Sequence, residues 1–332
     1  MNILITGAAG YIGSHVAKQF LETTLNNITI IDNFKTGFEN TIVTLKSFGK
    51  INFINQDLSD WNKVDKIFKD NSFDVVIHFA ASLLVGESVT NPVKYYINNT
   101  CNSANLINMC NKYYVNKFIF SSTAAVYGEP DINKMPLKEE ELTNPINPYG
   151  SSKLFTEQII KDNAVANKDF KYVILRYFNV AGAEESLQIG ECHDPETHLI
   201  PLVVKTALGK REKIMIFGDD YGTKDGTCIR DYIHVDDLAS AHLASLEYLN
   251  NNDSNIFNCG YGHGFSVKEV INTIKKVSGI NFKVEVSSRR DGDPAILVAD
   301  NKKILKLTNW KPKYDNLEFI CKTALEWEKK LG

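Results

Sequence analysis

The stretch Asn2–His15, NILITGAAGYIGSH, sets an apolar run directly against three glycines, Gly7, Gly10 and Gly13, in a GxxGxxG spacing. NILIT (Asn2–Thr6) reads as a strand buried on both faces, and the glycines as the turn that opens a helix. Such a turn lets the backbone approach a pyrophosphate, whose charge the free N–H groups of a helix N-terminus attract. A tight strand-to-helix turn with no ligand is the plainer reading of a glycine triplet. The context favours a dinucleotide, because the motif begins at the first strand and an acidic residue, Asp32, closes the next one, ITIID (Ile28–Asp32). A carboxylate there can accept both ribose hydroxyls and repels a 2′-phosphate, so the expected cofactor is NAD rather than NADP.

Working outward, the runs INFINQD (Ile51–Asp57), DVVIHFA (Asp74–Ala80), KFIFSS (Lys117–Ser122) and YVILRYFN (Tyr172–Asn179) are also nearly continuous in apolar residues, with amphipathic segments between them. This alternation predicts an α/β fold: a doubly wound parallel Rossmann sheet built from right-handed βαβ units. After Asn179 the rhythm breaks. Helices are expected over Pro201–Lys210, Asp236–Leu249, from Ser266, and near Asn316–Leu331, with a short strand at Ile214–Phe217. The expected division is a dinucleotide-binding domain over residues 1–179 and a smaller α/β substrate domain over 180–332, with elements around 230–260 packing back onto the first.

Of 332 residues, 43% are hydrophobic and 23% charged, enough for a large core, and the formal net charge is -3 with no block of like charges. Neither a nucleic-acid arm nor a basic membrane helix is expected, and no run approaches the ~18 apolar residues of a membrane span. Six scattered cysteines without CxxC spacing, and no signal-peptide pattern, point to reduced thiols and the cytoplasm. The seven histidines show no metal-ligand spacing with cysteines or carboxylates, so no metal is expected.

The chemistry is expected from PYGSSK (Pro148–Lys153). A free phenol titrates near pH ~10 and is a poor base at neutral pH, but an ammonium close by favours the phenolate, and residues four apart share a helix face. Tyr149 and Lys153 have that spacing. About 25 residues earlier, FSSTAAVYG places Thr123 at the carboxyl edge of the fifth strand, where ligands bind in this architecture. Asp57 reads either as an adenine contact or as a helix cap ahead of Trp61. Asn98 reads either as a cofactor contact or as a buried amide bridging backbone groups.

TGAAGYIGSH, DVVIHFAA, VGES, FSSTAAVYG, PYGSSK, LRYFNVAGA, IFGDDYGTKDGTCIRDYIHV and RRDGDPA together resemble the extended short-chain dehydrogenase/reductase family, and within it the UDP-glucose 4-epimerase branch, from end to end. The resemblance implies that Tyr149 is the acid/base, that Lys153 lowers its pKa and holds the nicotinamide ribose, and that Thr123 bonds the reacting hydroxyl. Cofactor contacts are expected at Tyr11, Ile12 and Asn33, at Leu58, and at Phe79, Ala80 and Ala81, with Tyr177 near the nicotinamide. For a UDP-hexose it implies Arg230 and Arg290 on the diphosphate, and Asn179 on diphosphate or sugar. It also implies His198 and Leu199 on phosphate and uracil, Ile216 and Phe217 on uracil through their backbones, and Asp293 on the uridine ribose. The plainer reading of the arginines is a salt bridge to the adjacent Asp231 or Asp291. Leu297 falls where a bulky wall limits room beside the sugar's second carbon, favouring an unacetylated hexose.

Leu83 stands where some members carry lysine, so that cofactor contact does not transfer. A dehydratase of the same family needs an acid pair just after the threonine, and Ala124 and Ala125 stand there. The expected activity is interconversion of UDP-glucose and UDP-galactose by transient oxidation at C4. Alternatives are another UDP sugar (N-acetylhexosamine, uronic acid or pentose) and, behind them, a dehydratase or reductase. Helices after Pro92 and Pro148 are expected to form a homodimer bundle.

Overall fold

The computed structural model describes residues 1–23, 26–290 and 292–332. Six of the strands are β1 (Asn2–Thr6), β2 (Asn27–Asp32), β3 (Ile51–Asn55), β4 (Val75–His78), β5 (Lys117–Ser121) and β6 (Lys171–Tyr177). With Asn255–Cys259 they form one seven-stranded sheet, in the order Asn255–Cys259, β6, β5, β4, β1, β2, β3. Every neighbouring pair is parallel. The order reverses direction between β4 and β1, which opens a crevice at the carboxyl ends of those strands.

Successive residues of a strand face opposite sides of the sheet. Accordingly Ile3 and Ile5 enter a core with Val16, Phe20, Leu238 and Ala241 on one face. Leu4 enters another with Val64, Phe68, Leu106 and Ile160 on the other. All three β1 side chains are fully buried, which is why the run shows no polar alternation. The later helices are Leu199–Ala207, Val235–Asn251, Val267–Ser278 and Leu317–Leu331. The third begins on a capping box between Ser266 and Glu269. Lys213–Phe217 pairs with Lys283–Ser287, away from the main sheet.

Several boundaries differ from the sequence reading: β4 ends at His78, β6 ends at Tyr177, and the helix expected over Pro201–Lys210 runs Leu199–Ala207. β3 ends at Asn55, and the chain then turns so that Asp57 accepts a hydrogen bond from Ser59 N at 2.8 Å. The cap of the helix Trp61–Asp70 is Asp60, which accepts from Lys63 N at 3.2 Å. Asp57 is therefore not the cap. Among the described residues no helix is long and apolar enough to cross a membrane.

Candidate active site

The glycine turn is shaped by contacts that exclude a side chain. Gly7 has φ +81° and a Cβ there would lie 2.6 Å from Ala80 N, while a Cβ on Gly13 would lie 2.4 Å from Gly7 O. Only glycine tolerates the first conformation at little cost, and only a bare Cα allows the second approach. The helix Tyr11–Thr23 starts directly behind this turn. Asp32, at the end of β2, is locked by two backbone donors: Ala9 N at 2.9 Å and Phe34 N at 2.9 Å.

Asn147 caps the helix Pro148–Ala166 by accepting from Gly150 N at 2.9 Å, and Pro148 occupies its first turn. A Cβ on Gly150 would meet Ala125 O at 2.7 Å, so the helix packs tightly on the loop that carries Thr123. This sets the Tyr149 phenol beside Thr123 on the wall of one cavity. Burial raises the phenol above its ordinary value, and the Thr123 hydroxyl pulls it back. Lys153 is 3% exposed, donates to Ser121 O at 2.8 Å and stands over the Phe120 ring at 4.9 Å. Burial lowers its ammonium to about 7, against the attraction of Glu157.

These parts face one cavity of about 860 Å³. Its lining brings together Gly7, Gly10, Tyr11, Ile12 and Gly13 with Asp32, Asn33, Asp57 and Leu58. Phe79, Ala80, Ala81, Leu83 and Asn98 join them, as do Thr123, Tyr149, Lys153 and Tyr177. Asn179, His198, Leu199, Arg230, Asp293 and Leu297 complete the expected set at the other end.

Three expected residues do not line it. Ile216 is 4% exposed and packs in the core, and Phe217 is covered by the Arg290 guanidinium, 3.7 Å above its ring. Arg290 lines a smaller pocket of about 400 Å³ with Tyr221 and Arg289, which shares Gly292, Asp293 and Pro294 with the main cavity. Asp291, the alternative partner of Arg290, lies outside the described residues. Arg230 does pair with a carboxylate, but that of Asp293 at 3.1 Å rather than Asp231. Asp231 is fully buried and turned to backbone donors, Tyr261 N at 2.9 Å and Gly262 N at 3.1 Å. Burial raises it to about 6.

A sequence model of the NAD dependent epimerase/dehydratase family matches residues 3–260. The chain belongs to that family. It is 46% identical to the UDP-glucose 4-epimerase of Halalkalibacterium halodurans over 330 residues, covering 99% of this chain and 96% of that protein. Among solved structures, the UDP-Glc/GlcNAc 4-epimerase of Campylobacter jejuni is 55% identical, with a TM-score of 0.88 and 99% of both chains covered. A UDP-glucose 4-epimerase of Bifidobacterium longum, in complex with NAD+ and UDP, is 37% identical with a TM-score of 0.94, covering 99% of this chain and 98% of that one. NAD is thus the cofactor of the family, and the Gly7–Gly13 cradle with Asp32 fits it.

Within this epimerase/dehydratase fold, several polar residues escaped the sequence reading. Asn99 accepts from Ser82 N at 2.8 Å and donates to Ser82 O and Ser152 Oγ, both at 3.0 Å. It therefore ties the loop after β4 to the Tyr149 helix, the bridging role considered for Asn98. Both asparagines sit on a π-helical turn, Tyr96–Cys101, a distortion common at functional sites. Glu157, one turn past Lys153, accepts from Ser122 Oγ at 2.6 Å and pairs with Arg176 at 2.6 Å, with both side chains almost fully buried.

The histidine reading needs correction. His193 and His198 do gather with carboxylates, Glu191 and Glu196, in the loop before the helix Leu199–Ala207. Burial opposes charge on Glu191, yet the two imidazoles hold it down to about 2. Burial likewise opposes charge on His193, which the glutamates carry up to about 9. The spacing ExHxxExH is legible in retrospect, and the four residues converge because the loop folds on itself.

Proposed function

We propose that the protein interconverts UDP-glucose and UDP-galactose by transient oxidation at C4 of the sugar. The observation that carries this reading is one cavity lined by Tyr149, Lys153 and Thr123 together with the glycine turn and Asp32. Bound NAD supplies a hydride acceptor that is restored within each cycle. Tyr149 takes the proton of the C4 hydroxyl, Thr123 Oγ1 orients that hydroxyl, and Lys153 favours the phenolate. Arg230 and Asn179 anchor the diphosphate while the 4-keto sugar turns over about its linkage. Tyr149 then returns the proton to the C4 oxygen of the opposite epimer. Arg290 is assigned to the diphosphate from the neighbouring pocket.

In this reading residues 1–179 serve the dinucleotide and 180–332 the sugar nucleotide. Ala124 and Ala125 supply no acid to expel a hydroxyl, which disfavours dehydration. A homodimer is supported by exposed apolar side chains, Val85, Val89, Val93, Ile97 and Phe155, the last of which stacks on Tyr96 at 5.8 Å. Six unpaired cysteines suit a reducing cytoplasm, and the substrates suit galactose metabolism.

The test incubates purified protein with a panel of UDP sugars and no added cofactor. The panel includes UDP-N-acetylglucosamine, because the Campylobacter relative is named for both sugars, while Leu297 on the cavity wall favours the unacetylated one. Interconversion of UDP-glucose and UDP-galactose without accumulating NADH is expected. Turnover of only a pentose or uronic acid would overturn the substrate assignment.

A further inference from the structure

Glu191, His193, Glu196 and His198 lie within eight residues of chain, and one donor atom from each falls within 4.8 Å of all the others. Both glutamate side chains are only 5% exposed. Two carboxylates with two neutral imidazoles carry a charge of −2, which one divalent cation balances, and an N₂O₂ donor set suits a first-row ion. A cluster of this composition can also be closed by protons alone, as His198 Nδ1 and Glu191 illustrate by hydrogen-bonding each other.

His193 breaks that pattern. Its Nδ1 is buried, 3.2 Å from Glu191 Oε1 and 3.8 Å from Glu196 Oε2, yet it makes no hydrogen bond to either. A nitrogen this close to two carboxylates and aligned with neither suits four donors sharing one centre better than donors paired among themselves. We infer that Glu191, His193, Glu196 and His198 form a divalent-metal site, with Zn²⁺ as the best-matched ion.

His193 and His198 also line the main cavity, so the ion would face its contents. Its charge is balanced by the two carboxylates, so it would favour a diphosphate ligand by taking one of its oxygens into the coordination shell, in the cavity that Arg230 also lines. That consequence rests on the proposed UDP-sugar reading. The metal site does not.

The test strips full-length protein with a chelator, reloads it with Zn²⁺ or Mn²⁺ alone, removes free ion by gel filtration and counts bound metal by mass spectrometry. About one ion per chain is expected. His193→Gln and Glu196→Gln should each weaken binding at least tenfold, with circular dichroism spectra like that of the parent. If one variant misfolds, the other and the parent's metal content decide. Parent protein that retains no ion above the buffer overturns the site, as does unchanged affinity in both variants. UDP affinity, measured with and without Zn²⁺, should rise severalfold with the ion, and no change would remove the diphosphate link. Metal content is read independently of turnover, so failure of the epimerase reading would leave this result standing.

Discussion

Lys153 Nζ donates to the backbone oxygen of Ser121 at 2.8 Å, which fixes the ammonium at the carboxyl end of β5, one helical turn from Tyr149. The contact holds a cation where the phenol needs one. Burial works against both groups, raising Tyr149 and lowering Lys153 to about 7, so the charged pair depends on mutual support and on the positive nicotinamide that NAD brings.

Replacement Lys153→Met should therefore do more than slow the reaction. The active form carries a deprotonated Tyr149, and activity falls as pH drops through the phenol's pKa. Removing the cation raises that pKa, so the acid limb of the kcat/KM profile should move to higher pH. Turnover at pH 7 should drop by about 10² or more. An unshifted limb would show that Lys153 does not tune the phenol.

The glycine cradle makes a steric prediction. A Cβ at Gly13 would sit 2.4 Å from Gly7 O, whereas one at Gly10 would meet the same atom at 3.4 Å. Gly13→Ala should lower Tm and yield protein without bound dinucleotide, while Gly10→Ala should cost less in Tm. Absorbance of the released cofactor and thermal melts measure both.

The buried pair of Glu157 and Arg176 should be costly to break. Glu157→Gln leaves the guanidinium without its counter-charge, for a loss of about 3–5 kcal/mol in urea unfolding. Replacing both partners, Glu157→Leu with Arg176→Met, should cost less than either single change. Ser122, bonded to Glu157, adjoins Thr123, so the single change should also reduce turnover.

A pH dependence of stability follows from Asp236. Burial, with repulsion from Glu184, raises its carboxyl to about 7. A raised acid stabilises the fold below its unfolded value, near ~4, and that contribution is lost as pH rises through about 7. Asp236→Asn keeps the site neutral throughout. It should be more stable than the parent at pH 8, by up to about 4 kcal/mol, with the difference vanishing near pH 4. Equal stability across that range would contradict the assignment.

The parallel sheet was legible because β1, β2, β4, β5 and β6 are buried on both faces and so read as unbroken apolar runs. The strand Asn255–Cys259 was less legible, because Asn258 interrupts its run. That amide is fully buried and donates to Leu137 O at 2.8 Å, a partner 121 positions away. Long-range pairing hid the other polar features in the same way. Nothing near Arg230 points to Asp293, 63 positions on, and Glu157 has the sequence character of a solvent-facing helical glutamate. Asp57 and Asp60 both precede Trp61, and local sequence does not choose the cap between them. The Tyr149, Lys153 and Thr123 set was legible because helix spacing and a strand edge define it locally.

The most direct test of the central claim is Tyr149→Phe, assayed for conversion of UDP-galactose to UDP-glucose with bound NAD quantified in the same preparation. The phenyl ring keeps the packing and removes only the titrating oxygen. NAD content like that of the parent, with turnover reduced by about 10² or more, is the predicted result. Parental turnover in that variant would contradict the account.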